Sequence, residues 1–130
     1  MKKIFVNGTF DILHRGHLEL LLFARAQGDF LTVAVDTDQR VNRLKGNGRP
    51  VNSCNDRLFM LQCLSMVDAV ASFDTDGELV ELIKMHDVMV KGSDYKGMDI
   101  IGSNVCKQIV FFDRVDEYST TKTIQSIANR

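Results

Sequence analysis

The sequence predicts an α/β fold in which a mostly parallel, five-stranded sheet is covered by helices on both faces. Short apolar segments alternate with amphipathic ones along the chain, and this order favours strands joined by crossover helices. Residues 30–38 are rich in β-branched side chains and continuously apolar at their centre, as a strand covered on both faces would be. Because such sheets bind ligands beyond the carboxyl ends of their strands, the residues that follow each strand are the candidates for function.

The first three elements form a β-α-β unit. Residues 2–8 are a short apolar run that ends in a turn, which predicts the first strand. Residues 17–28 carry apolar side chains at helical spacing, and Gly28 is a plausible C-cap of that helix. Residues 30–38 then predict the second strand.

A polar stretch interrupts the alternation at residues 38–52. It contains two glycines and the only proline of the chain, so we predict a long mobile loop, and loops of this length often carry function. Ser53 is a favourable N-cap residue, and the spacing after it predicts a helix over residues 53–67. Residues 68–73 predict the third strand.

The remainder of the chain repeats the same order. Residues 76–86 predict a helix, residues 87–92 and 107–113 predict the last two strands, and residues 119–130 predict the final helix. No linker, internal repeat or low-complexity segment divides them. We therefore expect residues 1–130 to form a single domain, which is long enough to bury a hydrophobic core.

The composition excludes several classes of protein. A 45% apolar share and a net charge of -1 are typical of a soluble, cytoplasmic protein and give no reason to expect a nucleic-acid partner. No apolar run is long enough to span a membrane, and the start of the chain does not resemble a signal peptide. The three cysteines fit neither a disulfide framework nor a zinc site, so we expect reduced, mostly buried thiols.

Two histidines stand out in the segment GTFDILHRGH, residues 8–17. His14 and His17 follow the first predicted strand and sit at the start of the first predicted helix, with Gly16 between them. They could be zinc ligands, structural histidines or groups that handle a phosphate. Zinc would need further ligands at suitable spacing, whereas a glycine-led turn into a helix N-terminus favours an anion. We favour the phosphate interpretation because the glycines, the strand end and the helix start agree.

The segment HRGH (residues 14–17) resembles the HxGH signature of the nucleotidyltransferase superfamily, whose fold is a Rossmann-like three-layer sandwich. The segment STTK (residues 119–122) is similar to that superfamily's second phosphate-binding motif, and the resemblance covers nearly the whole chain. It implies that a phosphate oxygen of a small phosphorylated acceptor attacks the α-phosphorus of a nucleoside triphosphate, with release of pyrophosphate. It also implies Mg²⁺ as the cofactor, bound mainly by triphosphate oxygens and water.

The resemblance assigns roles to individual residues. His14, His17 and Lys45 are the predicted catalytic group: the two imidazoles contact the α- and β-phosphates, and Lys45 closes over the phosphates. The predicted nucleotide-binding residues are Gly8, Thr9, Phe10, Asp11, Gly16, Gly92, Asp94, Arg114, Ser119, Thr120 and Thr121. Among them, Arg114 would meet the pyrophosphate or the acceptor, and Asp11 either helps to hold Mg²⁺ or fixes the turn. No set of metal-ligating residues is predicted.

Two branches of the superfamily compete for the particular reaction. Residues 43–52, 90–95 and 100–106 resemble the adenylyltransferase domain that acts on D-glycero-β-D-manno-heptose 1-phosphate. Residues 95–100, together with Arg114 and STTK, resemble glycerol-3-phosphate cytidylyltransferase. However, Ser65 stands where that family has an arginine, while Arg114 departs from the heptose enzymes.

On balance the sequence favours ATP and heptose 1-phosphate, which would give ADP-heptose. The alternatives are CTP with glycerol 3-phosphate, another acceptor such as flavin mononucleotide, or a catalytically inactive nucleotide-binding module. Relatives are often dimers, so we expect a homodimer.

Overall fold

The computed structural model describes residues 1–113 and 120–129. Its strands are β1 (Lys3–Gly8), β2 (Phe30–Asp36), β3 (Ala69–Phe73), β4 (Val88–Gly92) and β5 (Ile109–Phe112). Its helices are α1 (Arg15–Ala26), α2 (Asp38–Lys45), α3 (Cys54–Gln62), α4 (Asp76–Lys84) and α5 (Thr120–Ala128), and a 3₁₀ turn covers Ser93–Tyr95. The predicted β-α alternation is confirmed along the described chain.

The five strands form one sheet in the order β3-β2-β1-β4-β5, and each paired set of strands is parallel. The chain builds outward from β1 through β2 to β3 and then returns to add β4 and β5 on the other side. The order therefore reverses between β1 and β4. In doubly wound sheets, the crevice for a ligand opens at this reversal, beyond the carboxyl ends of the strands.

The strands bury both of their faces, as their continuous apolar sequence predicts. Ile4 and Val6 join a cluster with Leu21 of α1 and Leu61 of α3 on one face. On the other face, Phe5 joins a smaller cluster with Leu79, Ile83 and Met89. Helices thus cover both faces and fix the position of the strand ends.

The expectation of a loop over residues 38–52 is wrong for its first half, which forms α2. The Thr37 hydroxyl accepts a hydrogen bond from the Arg40 amide at 3.2 Å and caps this helix. The helix ends at Gly46, whose φ of 88° lies in the left-handed region. Val41 is its buried residue, so the helix has almost no apolar stripe by which periodicity could reveal it.

Gly28 has a different role from the predicted C-cap. The C-cap of α1 is Gln27, and Gly28 follows it. A Cβ atom at Gly28 would lie 2.6 Å from the Lys2 carbonyl oxygen and 2.8 Å from the Ile4 side chain. Glycine therefore lets the chain pass closely beside β1 on its way into β2.

The surface differs from the expectation in one detail. The three thiols are free, but Cys63 is exposed and Cys54 and Cys106 are only partly buried, so the prediction of mostly buried thiols is wrong. Within the described ranges, no helix is long and apolar enough to cross a membrane.

His86 is a buried histidine at the end of the sheet opposite the crevice. Its Nδ1 lies 2.7 Å from the Leu82 carbonyl oxygen, and its Nε2 lies 2.8 Å from the Thr32 hydroxyl. Burial lowers the pKa of His86, and the hydrogen bond with Leu82 only partly opposes that shift. The folded protein therefore holds this imidazole in its neutral form.

We expect His86 to make the protein less stable at mildly acidic pH. Because its pKa is lower in the folded chain than in the unfolded chain, the unfolded chain takes up the proton first as the pH falls below about 6.5. Its contribution to stability is full above that pH and is lost as the pH falls towards the folded-state pKa, at no more than about 1.4 kcal/mol per pH unit. Urea denaturation at several pH values measures the loss, and His86→Gln should remove part of it. An unchanged pH dependence in that variant contradicts the assignment.

Candidate functional site

A cavity of about 470 Å³ opens beyond the carboxyl ends of β1 and β4, where the strand order reverses. It is bounded by the turn after β1, the start of α1, the last turn of α2 and the end of β4. The predicted residues that line it are Gly8, Thr9, Phe10, His14, Gly16, His17, Lys45, Gly92 and Thr121. Residues from both ends of the chain therefore meet at one place.

The two histidines cap the start of α1 reciprocally. The His14 Nδ1 accepts a hydrogen bond from the His17 amide at 3.4 Å, and the His17 Nδ1 accepts one from the His14 amide at 3.3 Å. The rings stack with their centroids 3.8 Å apart and an interplanar angle of 18°. The helix start and the orientation of both rings are therefore set by the same contacts.

This capping fixes what the imidazoles can offer a ligand. Because each Nδ1 accepts a hydrogen bond, the neutral tautomer carries its proton on Nε2. Each ring is then a hydrogen-bond donor through Nε2, which suits a phosphate oxygen. The first turn of α1 contains no acidic side chain, so the positive end of the helix is not neutralised by its own residues.

Phe10 supports the histidine pair from the turn after β1. Its φ of 50° is unusual for a residue with a side chain. The buried ring lies 5.0 Å from that of His17, tilted by 57°. A Cβ atom at Gly8 would approach this ring to 2.9 Å, so glycine is required there for Phe10 to pack against His17.

Asp11 ties the turn after β1 to the segment before α3. Its fully buried carboxylate accepts hydrogen bonds from the Val51 and Asn52 amides, both at 2.8 Å, and pairs with Arg49 at 3.3 Å. In return, the Asn52 side chain donates to the Asp11 carbonyl oxygen at 2.6 Å. Of the two roles left open by the sequence, these contacts favour fixing the turn over holding Mg²⁺.

Arg57 makes a second connection beneath the same loops. Its fully buried guanidinium donates to the carbonyl oxygens of Thr9 and Asn52 at 2.9 and 3.0 Å. Its remaining nitrogen pairs with Asp38, the first residue of α2, at 2.9 Å. Arg57 is therefore a buried structural residue that links α3 to the turn after β1 and to the start of α2.

Lys45 reaches the cavity from α2. It is the last residue of that helix, so it extends from an ordered element and not from a loop as predicted. Burial of its ammonium and the nearby charge of Arg49 lower the pKa of Lys45, while Asp36 and Asp11 oppose the shift. A phosphate in the cavity would favour its charged form.

Several predicted residues do not take part in the described cavity. Asp94 is exposed and is not among the lining residues. Ser65 is exposed in the turn before β3, at the amino ends of the strands, so within one chain it does not reach a nucleotide in the cavity. Arg114 and Ser119 lie outside the described residues, and Thr120 is placed only as the first residue of α5.

Sequence reasoning missed polar residues that the sheet brings to the cavity. Asn7, Asp36, Lys91 and Tyr95 line it, and each lies at or just beyond the carboxyl end of a strand. The rule that ligands bind at strand ends pointed to these segments. It did not rank the side chains within them, and so Lys91 was passed over in favour of the glycine that follows it.

The polar lining does not build a metal site of its own. Within the described ranges, no group of three or more His, Cys, Asp or Glu side chains is placed to hold an ion. Asp36 is the carboxylate among the described lining residues, and it already pairs with Arg40 at 2.9 Å. This donor set fits a Mg²⁺ ion held mainly by the ligand's phosphates and water.

The fold and the site together define a nucleotide-handling α/β protein. Residues 5–126 match the model of the cytidylyltransferase-like family. The chain belongs to the cytidylyltransferase-like family, a family of nucleotidyltransferases.

The chain is similar to proteins named bifunctional protein HldE. It is 48% identical to that of Sulfurimonas denitrificans over 97% of the chain, and 46% identical to that of Campylobacter concisus over 97% of the chain. The chain spans about a quarter of the length of these curated relatives, 27% in both cases.

Two solved structures share the fold. One is described as the lipopolysaccharide core biosynthesis protein from Thermoplasma volcanium GSS1, with a TM-score of 0.73 and 27% identity over 89% of this chain and 99% of the other. The second is a bifunctional NMN adenylyltransferase/ADP ribose pyrophosphatase from Francisella tularensis, described as complexed with AMP and a manganese ion. Its TM-score is 0.71, with 18% identity over 99% of this chain and 42% of the other, and it supports the fold alone.

We expect Asp11→Asn to loosen the segment before α3. The amide side chain cannot accept all of the hydrogen bonds that the carboxylate accepts, and a bond to a charged group contributes about 1.5–3 kcal/mol. Hydrogen exchange at the Val51 and Asn52 amides should therefore speed up by about tenfold or more. Asp29→Asn is the matched control, because the Asp29 carboxylate accepts a hydrogen bond from the Lys2 amide at the amino ends of β1 and β2, away from the cavity. Equal exchange at both amides in the wild type and in Asp11→Asn would show that the carboxylate does not restrain this segment.

Proposed function

We propose that this chain transfers the AMP group of ATP to heptose 1-phosphate, with release of pyrophosphate, to give ADP-heptose. The observation that carries the proposal is the reciprocal histidine cap, which faces a cavity at the reversal of the strand order. The choice of acceptor is supported by the 48% identity to bifunctional protein HldE of Sulfurimonas denitrificans. It is also supported by residues 43–52, 90–95 and 100–106, which resemble the heptose 1-phosphate adenylyltransferase domain.

The proposed reaction is an in-line displacement at the α-phosphorus. An oxygen of the acceptor's phosphate forms a bond to that phosphorus, and the bond between the α-phosphorus and the oxygen of the β-phosphate breaks. The electron pair of the broken bond leaves with pyrophosphate, so nothing is oxidised or reduced. Since the nucleophile belongs to the substrate, the protein's task is to position the phosphates and to stabilise their charge.

The lining residues divide this task between them. The Nε2–H groups of His14 and His17 donate to the α- and β-phosphates, where negative charge develops. Lys45 approaches from α2 and neutralises charge on the outer phosphates, and Thr121 approaches from the first turn of α5. Gly16 and Gly92 allow the ligand to come close to the backbone of the lining.

Mg²⁺ would be held by the triphosphate and water, with Asp36 as the nearest candidate carboxylate of the lining. Such an ion would supply positive charge that offsets part of the negative charge of the phosphates.

Pyrophosphate release tests the proposal directly. The purified chain is incubated with ATP or CTP, each against heptose 1-phosphate, glycerol 3-phosphate and flavin mononucleotide, in the presence of Mg²⁺. The expected result is release with ATP and heptose 1-phosphate. Release with CTP alone would contradict the choice of ATP, and nucleotide binding without release from any pair would support an inactive nucleotide-binding module.

We expect His14→Ser to separate the capping role of His14 from its role in transfer. Serine is a favourable N-cap residue, so the free energy of unfolding should change by less than about 1 kcal/mol. Losing one donor to the developing charge should lower kcat by about 10²- to 10³-fold. Denaturation curves and steady-state rates on the same preparation provide the measurement.

The control for His14→Ser is Thr75→Ser, which keeps an equivalent cap on α4 away from the cavity. Its rate should equal that of the wild type. If His14→Ser were destabilised yet retained full kcat, His14 would be a structural residue alone.

A further inference from the structure

Helix α2 carries Lys45 to the cavity although little apolar surface holds the helix in place. Lys45 is its last residue and lines the cavity. Val41 is its buried residue, whereas Leu44, next to Lys45, is 67% exposed. A helix with so small an apolar face gains little from packing against the core. Polar contacts must therefore set much of its position.

One carboxylate contacts both the start and the last turn of α2. The side chain of Asp74, in the turn between β3 and α4, accepts a hydrogen bond from the Thr37 hydroxyl at 2.6 Å. The same oxygen accepts one from the Arg43 guanidinium at 3.2 Å. Thr37 is the N-cap of α2 and Arg43 lies in its last turn. Asp74 therefore connects the start of the helix to the turn that carries Lys45.

The bond between Thr37 and Asp74 also orients the N-cap of α2. A hydroxyl has one hydrogen, and because it is donated to Asp74, the oxygen lone pairs of Thr37 are left for the Arg40 amide, which donates at 3.2 Å. The bond from Thr37 lowers the pKa of Asp74, and Arg43 adds to the shift although desolvation opposes it. The ionised carboxylate accepts both bonds, and bonds to a charged group are the stronger ones.

Asp74 is itself held by α4. The Glu78 carboxylate, which belongs to the capping box of α4, accepts a hydrogen bond from the Asp74 amide at 3.0 Å. The next residue of that helix, Leu79, is buried in the core. The chain beyond Lys45 gives less support, since a Cβ atom at Gly46 would meet no atom within 4 Å. The position of Lys45 therefore depends on the contacts that precede it in α2.

Arg40 lies on the same face of α2, midway between Thr37 and Arg43. Its guanidinium pairs with Asp36, at the end of β2, at 2.9 Å and with Asp76, the first residue of α4, at 2.8 Å. One face of α2 is thus attached along its length to the end of β2 and to the turn that leads into α4.

We propose that Asp74 is a positioning residue for the transfer: by joining Thr37 to Arg43, it fixes α2 so that Lys45 meets the phosphates of the nucleotide. The inference rests on the proposed function, which gives Lys45 its task. Asp74 is not among the described residues that line the cavity, so it acts through Lys45 and not by contact with a substrate. Correct placement of such a group contributes strongly to the rate.

The sign of the charge on Asp74 separates positioning from a direct electrostatic effect. Removal of a carboxylate makes the surroundings of the cavity less negative, which by itself favours the binding of a triphosphate. Displacement of Lys45 has the opposite effect, because the phosphates lose a well-placed cation. If Asp74 acts through position, its removal therefore weakens binding and slows turnover.

The first test compares Asp74→Ala with the wild type. Its kcat/KM for ATP with heptose 1-phosphate should fall by about tenfold, since a displacement of about 1 Å can cost about a hundredfold. The carboxylate is partly exposed, so the free energy of unfolding should change little. Asp74→Asn removes the charge but keeps an oxygen that can accept both bonds, and it should recover most of the rate.

Glu81→Ala is the matched control for charge. Glu81 is an exposed carboxylate of α4 that pairs with Lys84, and it makes no contact with α2 among the described hydrogen bonds. Its removal should leave kcat/KM at the wild-type value. A full rate in Asp74→Ala, or an equal loss in Asp74→Ala and Glu81→Ala, would overturn the inference.

A double-mutant cycle tests whether Asp74 acts through Lys45. In a Lys45→Met background, Asp74→Ala should change kcat/KM by less than about twofold, because the group that Asp74 positions is already absent. A residue with a merely structural role would lower the rate by the same factor in both backgrounds. Such equal factors would contradict the positioning role.

Nucleotide binding keeps this cycle separate from the proposed reaction. ATP or CTP with Mg²⁺ is titrated calorimetrically, without acceptor, into the wild type, the two single variants and the double variant. Asp74→Ala should raise the dissociation constant by about threefold to tenfold when Lys45 is present and leave it unchanged in Lys45→Met. That result supports the positioning role even where no pyrophosphate is released and the proposed transfer fails. Equal factors in both backgrounds, or no binding of either nucleotide by the wild type, show that the positioning role is wrong whatever the outcome of the pyrophosphate assay.

Discussion

The buried Asp11 carboxylate is the contact on which the site depends. It accepts the Val51 and Asn52 amides, which lie far along the chain, and so joins the turn after β1 to the segment that leads into α3. A buried carboxylate needs hydrogen-bond donors, and here two backbone amides supply them. Arg57 stabilises the same junction, because its guanidinium donates hydrogen bonds to the Thr9 and Asn52 carbonyl oxygens. The turn that carries Phe10 and leads to the histidine pair is thereby held against the rest of the protein.

Most of the fold could be predicted from the sequence because the signals are local. The continuous apolar run of β2 and the spacing in α1 each reveal an element without knowledge of its neighbours. The helix α2 could not be found in this way, since Val41 and Leu44 are its only apolar side chains and one pair makes no periodic stripe. Thr37, the N-cap of α2, was the available sequence signal for the start of this helix. A threonine indicates a helix start there only once β2 is known to end at Asp36.

The same distinction between local and distant contacts decides which residues of the candidate site could be predicted. His14 and His17 are three residues apart on one helix start, so their cooperation is visible in the sequence. Asn7 and Lys91 line the same cavity because β1 pairs with β4. The local sequence around either residue does not predict that pairing. The role of Asp11 was undecidable for the same reason, because its partners lie in a segment that only the folded chain brings near.

The net charge of the chain does not reveal that the cavity is lined mainly by basic side chains. The protein carries a formal charge of -1, yet the described lining contains Lys45, Lys91 and two imidazoles against the carboxylate of Asp36, which Arg40 already engages. A concave, partly desolvated surface of one sign concentrates the field within it and attracts ligands of the opposite sign. Burial lowers the pKa of both lysines, and an incoming phosphate reverses that tendency by stabilising the ammonium form. The ammonium forms of both lysines are therefore stabilised most when phosphates are bound, so their charge acts mainly on a phosphate-bound state of the cavity.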